Sequence, residues 1–272
     1  MPGLSLKAVA PEGLLAAIDE NVAVLLLTHV HYKTGTRHDM AAITRRAHEK
    51  GALVIWDLCH SAGAVAVDLA AVDADMAVGC GYKYLNGGPG APAFLYVAER
   101  LQNALISPVT GWLGHAAPFE FAGDYRPAPG IARFLSGTPP ILGLAALEIG
   151  VDLMAEAPPA ALFEKSQKLC SLFIDTVDAF AQGHGLEILT PRDRSARGSQ
   201  VSLRHMQAYP IVQALIAEGV IGDFRAPDIL RFGVAPLYLS YSDVWQAADK
   251  LRGILTTTRW DAPQFKVRAQ VT

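Results

Sequence analysis

The chain has 272 residues, of which 51% are hydrophobic, and a formal net charge of -3 at pH 7. This length and hydrophobic content support a substantial buried core, in one large domain or two smaller ones, and exclude a largely disordered chain. The weakly acidic balance, with basic residues scattered, leaves no electrostatic footprint for nucleic acid or for an anionic membrane, so neither is expected as a partner.

Residues 22–97 alternate between short apolar runs and amphipathic stretches. The predicted elements are, in chain order, strand Val22–Leu27, helix His38–Lys50, and strands Leu53–Trp56, Met76–Val78 and Phe94–Val97. These strands are continuously apolar rather than alternating, which is typical of parallel strands buried on both faces. The pattern predicts an α/β fold with a mainly parallel sheet and helices on both faces, in which polar groups at the strand ends lie close together.

The second half of the chain has a different organisation. Residues 107–137 are rich in Gly, Pro and aromatic residues and are interpreted as a long functional loop region. The elements predicted beyond it are a connector helix Ile141–Met154, helix Ala161–Phe180, strands Leu186–Leu189 and Gln200–Leu203, helix Tyr209–Glu218, strand Ile229–Phe232 and helix Ser242–Leu255. This mixture predicts a small α+β C-terminal domain over residues 158–272, after a larger domain with its connector helix over residues 1–157.

The sequence also carries information on the cellular compartment. The N-terminal residues lack the apolar core of a signal peptide, and no apolar run approaches the roughly 18 residues of a membrane span. The three cysteines have no metal-ligand spacing and are expected as buried reduced thiols. A soluble, cytoplasmic protein is therefore expected.

A lysine, Lys83, lies between Tyr82 and Tyr84, just after a predicted strand and before a glycine-rich turn. A cationic side chain at the mouth of a buried strand is costly to desolvate, so it either reaches solvent or has its charge removed by chemistry. Imine formation with a carbonyl cofactor is such chemistry, because the free amine is a nucleophile only when deprotonated. The simpler interpretation is a surface lysine at the end of a strand.

Asp57 ends the preceding apolar run, 26 residues upstream of Lys83. A buried carboxylate at that place needs a cationic partner. The protonated pyridine nitrogen of pyridoxal phosphate (PLP) would be one, since an Asp at that nitrogen makes the ring an electron sink. Asp57 could instead cap the turn that follows it.

Six motifs, taken together and in order, resemble the kynureninases, PLP-dependent enzymes of the aspartate-aminotransferase fold type. They are Thr28-His-Val-His-Tyr-Lys-Thr-Gly35, Trp56-Asp-Leu-Cys-His60, Gly81-Tyr-Lys-Tyr-Leu-Asn-Gly-Gly-Pro-Gly90, Gly111-Trp-Leu-Gly-His115, Gly137-Thr-Pro-Pro140 and Leu230-Arg-Phe-Gly-Val-Ala-Pro-Leu-Tyr238. The resemblance runs from about Leu4 to the C-terminus, and it implies a PLP cofactor for this chain.

The resemblance also implies roles for particular residues. Lys83 is similar to the Schiff-base lysine that takes the substrate α-proton, and Asp57 to the partner of the pyridine nitrogen. Tyr82 is similar to the tyrosine that reaches the phosphate and protonates the substrate β-carbon, and His60 to a histidine close to the cofactor.

Three further residues have implied roles. Trp112 and Thr138 resemble residues that approach the phosphate from the neighbouring subunit, which implies a homodimer with shared sites. Arg231 resembles the clamp for the substrate α-carboxylate, a role that suits the fork geometry of guanidinium. Simpler interpretations are also open. Arg231 could be an interior arginine satisfied by carbonyls or by a structural carboxylate, His60 could be a satisfied histidine behind the residues that touch the cofactor, and Trp112 and Thr138 could serve core or interface packing.

The reaction implied is hydrolysis of L-kynurenine, or its 3-hydroxy form, to an anthranilate and L-alanine, in tryptophan catabolism and NAD biosynthesis. Kynureninases carry well over a hundred further residues before the point where this chain begins, and these include the phosphate-cradling turn. The chain is thus expected to hold a partial large domain, and to bind PLP more weakly by several kcal/mol. An inactive truncated remnant that still dimerises is the alternative.

A metal site is a further alternative, because His29 and His31 form a His-x-His pair after an apolar strand. Metal-dependent amidohydrolases present two imidazoles to zinc in this way. No later histidine lies in an obvious strand-end motif, since His48 falls in a helical stretch and His115 in a loop. The pair is therefore interpreted as a strand-exit turn near the cofactor, without a metal.

Overall fold

The computed structural model describes residues 3–121 and 123–268, and these form two four-stranded sheets. The strands are β1 (Val24–Thr28), β2 (Leu53–Asp57), β3 (Met76–Cys80), β4 (Ala93–Val97), β5 (Glu187–Ile188), β6 (Gln200–Arg204), β7 (Asp223–Arg225) and β8 (Ile229–Gly233). The helices are α1 (Leu14–Ala17), α2 (Met40–Glu49), α3 (Glu99–Gln102), α4 (Ile141–Ala155), α5 (Pro159–Ala181), α6 (Ala208–Ala217), α7 (Tyr241–Thr256) and α8 (Pro263–Lys266). For description, we call residues 3–121 with 123–157 the parallel-sheet unit, and residues 158–268 the C-terminal unit.

The first sheet has the strand order β1-β2-β3-β4, with the first three strands parallel and β4 antiparallel to β3. This confirms the predicted α/β class with a mainly parallel sheet. Thr28 pairs with Asp57, and Asp57 pairs with Val78, so these three residues form one row across the sheet. The row lies at the carboxyl edge of the parallel strands, which is where the sequence placed the polar groups.

One face of this sheet is buried under α2. The helix begins where the Asp39 side chain accepts a hydrogen bond from the Ala42 N–H at 2.9 Å, an N-cap that satisfies one unpaired donor of the first turn. Its apolar side chains, Met40, Ile43 and Ala47, join a core with Val54 and Trp56 of β2. This packing fixes α2 against the sheet.

The opposite face of the sheet is much less covered. The exposed fractions are 49% for Val24, 66% for Leu26, 40% for Val78 and 43% for Leu95. By the strand alternation and pairing register, these residues lie on the same face as Asp57. Helices were expected on both faces of the sheet. Among the described residues, a helix packs against one face, and an apolar row is exposed on the other.

The C-terminal unit contains an antiparallel sheet with the order β5-β6-β8-β7. Helices α5, α6 and α7 supply apolar side chains to the same core as β6 and β8, and Leu169, Leu203, Ile211, Leu230 and Leu251 in it are completely buried. β7 was not predicted, because Asp223–Arg225 is too short and too polar to give a strand signal. The domain boundary between residues 157 and 158 stays a prediction.

The two units meet along the segment that follows β1 and at the loop that carries Tyr84. The Gly198 N–H donates to Gly35 O at 2.8 Å, Thr36 forms an isolated β-bridge with Arg197, and the Tyr84 hydroxyl donates to Ser199 O at 2.7 Å. Gly35 has φ +74°, and a Cβ there would lie 2.9 Å from Gln200 Cγ. Glycine at this position therefore permits both the left-handed turn and the close approach of the C-terminal unit.

Two further observations complete the fold. In its described residues, 107–121 and 123–137, the predicted loop region forms short 3-10 turns at Trp112–Gly114 and Gly130–Phe134 and an isolated β-bridge between His115 and Pro127, before α4 begins. Within the part of the chain that the structure describes, none of the helices combines the length and apolarity needed to cross a bilayer.

Candidate functional site

Asp57 lies at the carboxyl edge of the parallel strands. Its carboxylate is half-buried, and Oδ1 accepts a hydrogen bond from the Cys59 N–H at 2.8 Å, so Asp57 caps the turn that leaves β2. Within residues 3–121 and 123–268, no Lys, Arg or His forms an ion pair with this carboxylate. A half-buried carboxylate without a cationic partner can accept a positively charged ligand group.

The turn after Asp57 packs directly against the loop that carries Lys83. Gly63 in this turn has φ +85°, and a Cβ there would lie 2.7 Å from Tyr84 O. Glycine is therefore needed both for the backbone conformation and for the close approach. The result is that His60, on one turn, faces Lys83, on the other.

Lys83 is half-buried, and its Nζ lies 3.0 Å from His60 Nε2. The same Nζ is 5.4 Å from the centroid of the Tyr82 ring, which is within the range of a cation–π contact. Tyr82 itself is 52% exposed. The structure thus brings Lys83, His60 and Tyr82 together, with the amine turned into the site and the phenol at its rim.

The environment of His60 keeps its ring neutral. Burial lowers the pKa of His60 to about 4, with further lowering by the positive charges of Lys83 and Arg231 and a smaller opposing effect from Asp57. A neutral imidazole has one N–H donor and one acceptor nitrogen. His60 Nε2 can therefore accept a hydrogen bond from Lys83 Nζ near neutral pH.

Arg231 of β8 belongs to the C-terminal unit and is close enough to the site for its charge to act on His60. Its Nε donates to Asp223 Oδ1 at 3.0 Å, its Nη2 donates to Asp223 Oδ2, and its Nη1 donates to Tyr32 O at 2.8 Å. Guanidinium has five N–H bonds, so one hydrogen on Nη1 and one on Nη2 remain for another acceptor. Asp223 holds the fork in place, and the remaining pair of donors suits a carboxylate.

Three site residues were missed from the sequence: Gln200, Tyr32 and Asp223. Gln200 is 2% exposed, and its Nε2 donates to Tyr32 O at 3.0 Å. A signal for Gln200 was present, since it is an amide at the start of a predicted buried strand, and a buried polar side chain needs partners. Tyr32 contributes a backbone oxygen that lies 199 positions from Arg231, and Asp223 contributes an ion pair from the unpredicted strand β7 to Arg231 on the neighbouring β8. The local sequence gives no signal for either contact.

Trp112 and Thr138 are not brought to the other site residues within this chain. The Trp112 side chain is 44% exposed and its ring packs edge-on against Phe119, with 5.8 Å between centroids. Thr138 is also exposed. Neither is among the described hydrogen-bonding or ring contacts of Lys83, Asp57 or His60.

His29 and His31 have separate surroundings. The His29 ring packs edge-on against Trp56 at 6.1 Å, and burial lowers the pKa of His29 to about 4. His31 Nδ1 instead lies 3.1 Å from Thr34 Oγ1. Among the described residues, no group of three or more His, Cys, Asp or Glu side chains is arranged to hold a metal ion.

Comparison with known proteins gives the family. Residues 162–251 match the family model of the kynureninase C-terminal domain. The kynureninase of Burkholderia pseudomallei is 50% identical over 262 residues, covering 96% of this chain and 63% of that protein. The kynureninase of Pseudomonas fluorescens is 50% identical over 271 residues, covering 99% of this chain and 65% of that protein. The chain belongs to the kynureninase family. It spans just under two thirds of the length of these relatives.

Solved structures share the fold at low sequence identity. A cysteine desulfurase from Thermococcus onnurineus NA1 superposes with a TM-score of 0.75 at 19% identity, over 90% of this chain and 63% of that one. A variant of the lyase C-DES, with glycine covalently linked to its PLP cofactor, gives 0.74 at 16% identity, over 94% and 64%. An alanine–glyoxylate aminotransferase from Nostoc sp. gives 0.68 at 20% identity, over 91% and 66%. The fold is thus shared with enzymes of these three kinds.

Proposed function

We propose that the chain contributes the active site of a PLP-dependent hydrolase that cleaves L-kynurenine, or 3-hydroxykynurenine, to an anthranilate and L-alanine. The observation that carries this proposal is the half-buried Lys83 amine, 3.0 Å from His60, on the loop beside the strand-end carboxylate Asp57. Its support is the 50% identity to curated kynureninases. A cytoplasmic homodimer acting in tryptophan catabolism and NAD biosynthesis is part of the same proposal.

The residues present fit the cofactor. Asp57 offers a half-buried carboxylate without a cationic partner among the described residues, as a protonated pyridine nitrogen requires. Lys83 offers an amine turned into the site, where it would hold the aldehyde carbon covalently. When bound, PLP supplies an electron sink for carbanionic chemistry at the substrate α-carbon.

The chain's own groups would then move protons at two atoms of the substrate. Lys83 Nζ would remove the proton from the α-carbon once the amine is free, and His60 would keep Nζ oriented through its acceptor nitrogen. The phenol of Tyr82, at the rim of the site, would deliver a proton to the β-carbon. The proposal thus gives the lysine and the tyrosine separate acid–base tasks.

Arg231 would bind the substrate α-carboxylate. The two guanidinium hydrogens left by Asp223 and Tyr32 O lie on different nitrogens and can donate to the two oxygens of one carboxylate. Because Arg231 comes from the C-terminal unit and Lys83 from the parallel-sheet unit, substrate binding would bridge the two units. Trp112 and Thr138 would reach the cofactor phosphate of a second subunit, a role supported by their exposure in this chain.

The test is to incubate the full chain with PLP and kynurenine and to measure anthranilate and alanine. The two products should form in equal amounts, and Lys83→Ala should abolish them while Lys168→Ala, which changes an exposed lysine, should not. Arg231→Ala should raise KM by the equivalent of roughly 2 to 5 kcal/mol, because it removes a charged hydrogen-bonding partner. Arg252→Ala serves as the matched control on an exposed arginine. An absence of product from the PLP-loaded chain would reject the activity, and an unchanged KM would reject the clamp.

A further inference from the structure

Tyr84 directly follows Lys83 in the chain, and its hydroxyl forms part of the contact between the two units. The hydroxyl donates a hydrogen bond to Ser199 O at 2.7 Å, across 115 positions of the chain. The residue is half-buried, and burial raises the pKa of the Tyr84 phenol. The hydroxyl therefore stays protonated near neutral pH and remains a hydrogen-bond donor.

The acceptor of this bond, Ser199 O, is shared by two donors. Besides the Tyr84 hydroxyl, it accepts a hydrogen bond from the Val234 N–H at 2.8 Å, and the Ser199 hydroxyl donates in turn to Val234 O. Val234 directly follows β8, the strand that carries Arg231. The Tyr84 hydroxyl is thus bonded to a segment that is itself held to the end of the Arg231 strand.

The backbone of Tyr84 is tied to the loop that carries Lys83. Tyr84 O accepts a hydrogen bond from Asn86 Nδ2 at 3.1 Å, and the Asn86 N–H donates to Lys83 O at 3.0 Å. The Gly63 turn lies against the same carbonyl, since a Cβ at Gly63 would be 2.7 Å from Tyr84 O. A displacement of Tyr84 would therefore move Lys83, whose Nζ lies 3.0 Å from His60 Nε2.

The proposed reaction requires a set distance between Lys83 and Arg231. The carboxylate that Arg231 would bind is attached to the same α-carbon from which Lys83 would take a proton, so the two side chains act on adjoining atoms of one substrate. Proton transfer occurs only within hydrogen-bonding range, and a misplacement of about 1 Å can slow a reaction about 100-fold. A contact that joins the lysine loop to the arginine strand therefore bears on the reaction rate.

We propose that Tyr84 is a positioning residue, which holds the Lys83 loop at a fixed distance from the Arg231 strand through its hydrogen bond to Ser199 O. The catalytic consequence rests on the proposed function, whereas the restraint on the Lys83 loop does not. When the hydroxyl is removed, Ser199 O keeps the Val234 N–H as a partner. Tyr84→Phe therefore deletes the restraint without leaving an unpaired carbonyl oxygen.

The primary test measures the reactivity of the Lys83 amine in the full chain, without cofactor or substrate. Acetic anhydride is added in limiting amount, and acetylation of each lysine is quantified by peptide mass spectrometry. Tyr84→Phe should speed the acetylation of Lys83 by about 2- to 10-fold, the change in local opening that one neutral hydrogen bond controls. The exposed Lys168 should react at an unchanged rate. An unchanged rate at Lys83 overturns the proposal.

Tyr209→Phe is the matched control. The Tyr209 hydroxyl also donates to a backbone carbonyl, Val267 O at 3.0 Å, and the residue lies in α6 of the C-terminal unit. This variant should leave the acetylation of Lys83 unchanged. A rise equal to that in Tyr84→Phe would show a general loosening of the protein and would overturn the specific role of Tyr84.

A second variant keeps the test decisive if Tyr84→Phe does not fold. The unnatural amino acid 4-aminophenylalanine at position 84 retains an N–H donor in place of the hydroxyl, so Lys83 should be acetylated at the wild-type rate. Faster acetylation of Lys83 in this variant contradicts the role of the hydrogen bond.

If the chain turns over kynurenine, Tyr84→Phe should lower kcat about 10-fold or more with KM within about twofold. The reason is that Lys83 is displaced while Arg231 keeps its bonds to Asp223 and Tyr32 O. An unchanged kcat overturns the positioning role. If the wild-type chain shows no turnover, the proposed function fails, and the acetylation rates still decide the role of Tyr84.

Discussion

The two units of the molecule differ in how completely they cover their sheets. The C-terminal unit encloses an antiparallel sheet and three helices around one core, in which Leu203 and Leu230 are completely buried. The parallel-sheet unit buries one sheet face and exposes the other, where Leu26 is 66% exposed. Most of the site residues lie on the less covered unit, and their alignment uses contacts from the better covered one. The better covered C-terminal unit therefore supplies contacts that hold the site residues in place.

The largest expected effect is a difference in stability between the alanine variants of two strand leucines. Leu230→Ala should destabilise the protein by roughly 2 to 5 kcal/mol, because it leaves a cavity in a closed core. Leu26→Ala should change the free energy of unfolding by no more than about 0.5 kcal/mol, since little apolar surface is buried there. Urea denaturation of both variants measures the difference. Similar losses in the two variants would show that the exposed sheet face is covered in solution.

A pH effect should arise in the parallel-sheet unit, from His29. Its pKa is about 4 in the folded protein and near 6.5 in the unfolded chain, so between these values the unfolded state binds more protons. The contribution of His29 to the free energy of unfolding should therefore be fully present above pH 6.5 and should be lost as the pH is lowered toward 4. The loss from this residue should reach roughly 3 kcal/mol. Urea titrations of the wild type and of His29→Gln, which stays neutral, measure this contribution. Equal pH dependence in the two proteins would contradict the burial of the ring.

A smaller difference in stability is expected between alanine variants at two glycines of the parallel-sheet unit, one at the junction with the C-terminal unit and one away from it. Gly35 and Gly51 both have positive φ, but a Cβ at Gly51 meets no atom within 4 Å, whereas one at Gly35 lies 2.9 Å from Gln200 Cγ. Gly51→Ala should cost about 1 to 2 kcal/mol of backbone strain. Gly35→Ala should cost roughly 1 to 3 kcal/mol more, because the junction must also open. Thermal unfolding compares them, and equal costs would argue against tight docking of the units.

The sequence predicts the elements well where hydrophobic patterning is strong. The apolar runs that become β1, β2 and β8 are read within a few residues, as is helix α5. The strand ends place Asp57 and Lys83 at one edge, because parallel strands share their carboxyl edge. The predicted roles of these two residues, and of Arg231, remain to be tested.

The remaining features of the fold and of the candidate site depend on contacts between segments that are distant in the sequence. Gln200 meets Tyr32 O across 168 positions, and the Tyr84 hydroxyl meets Ser199 O across 115. Neither pair has a spacing or periodicity that local patterning could detect. The exposed face of the first sheet was also not foreseen, because continuously apolar strands are normally covered on both faces.

The most direct measurement of the central claim is the site of cofactor attachment. The full chain is incubated with PLP, reduced with borohydride and mapped by peptide mass spectrometry. One pyridoxyl group per chain on Lys83, lost in Lys83→Ala, is the predicted result. A group spread over exposed lysines such as Lys168, with Lys83 unmodified, would contradict the account.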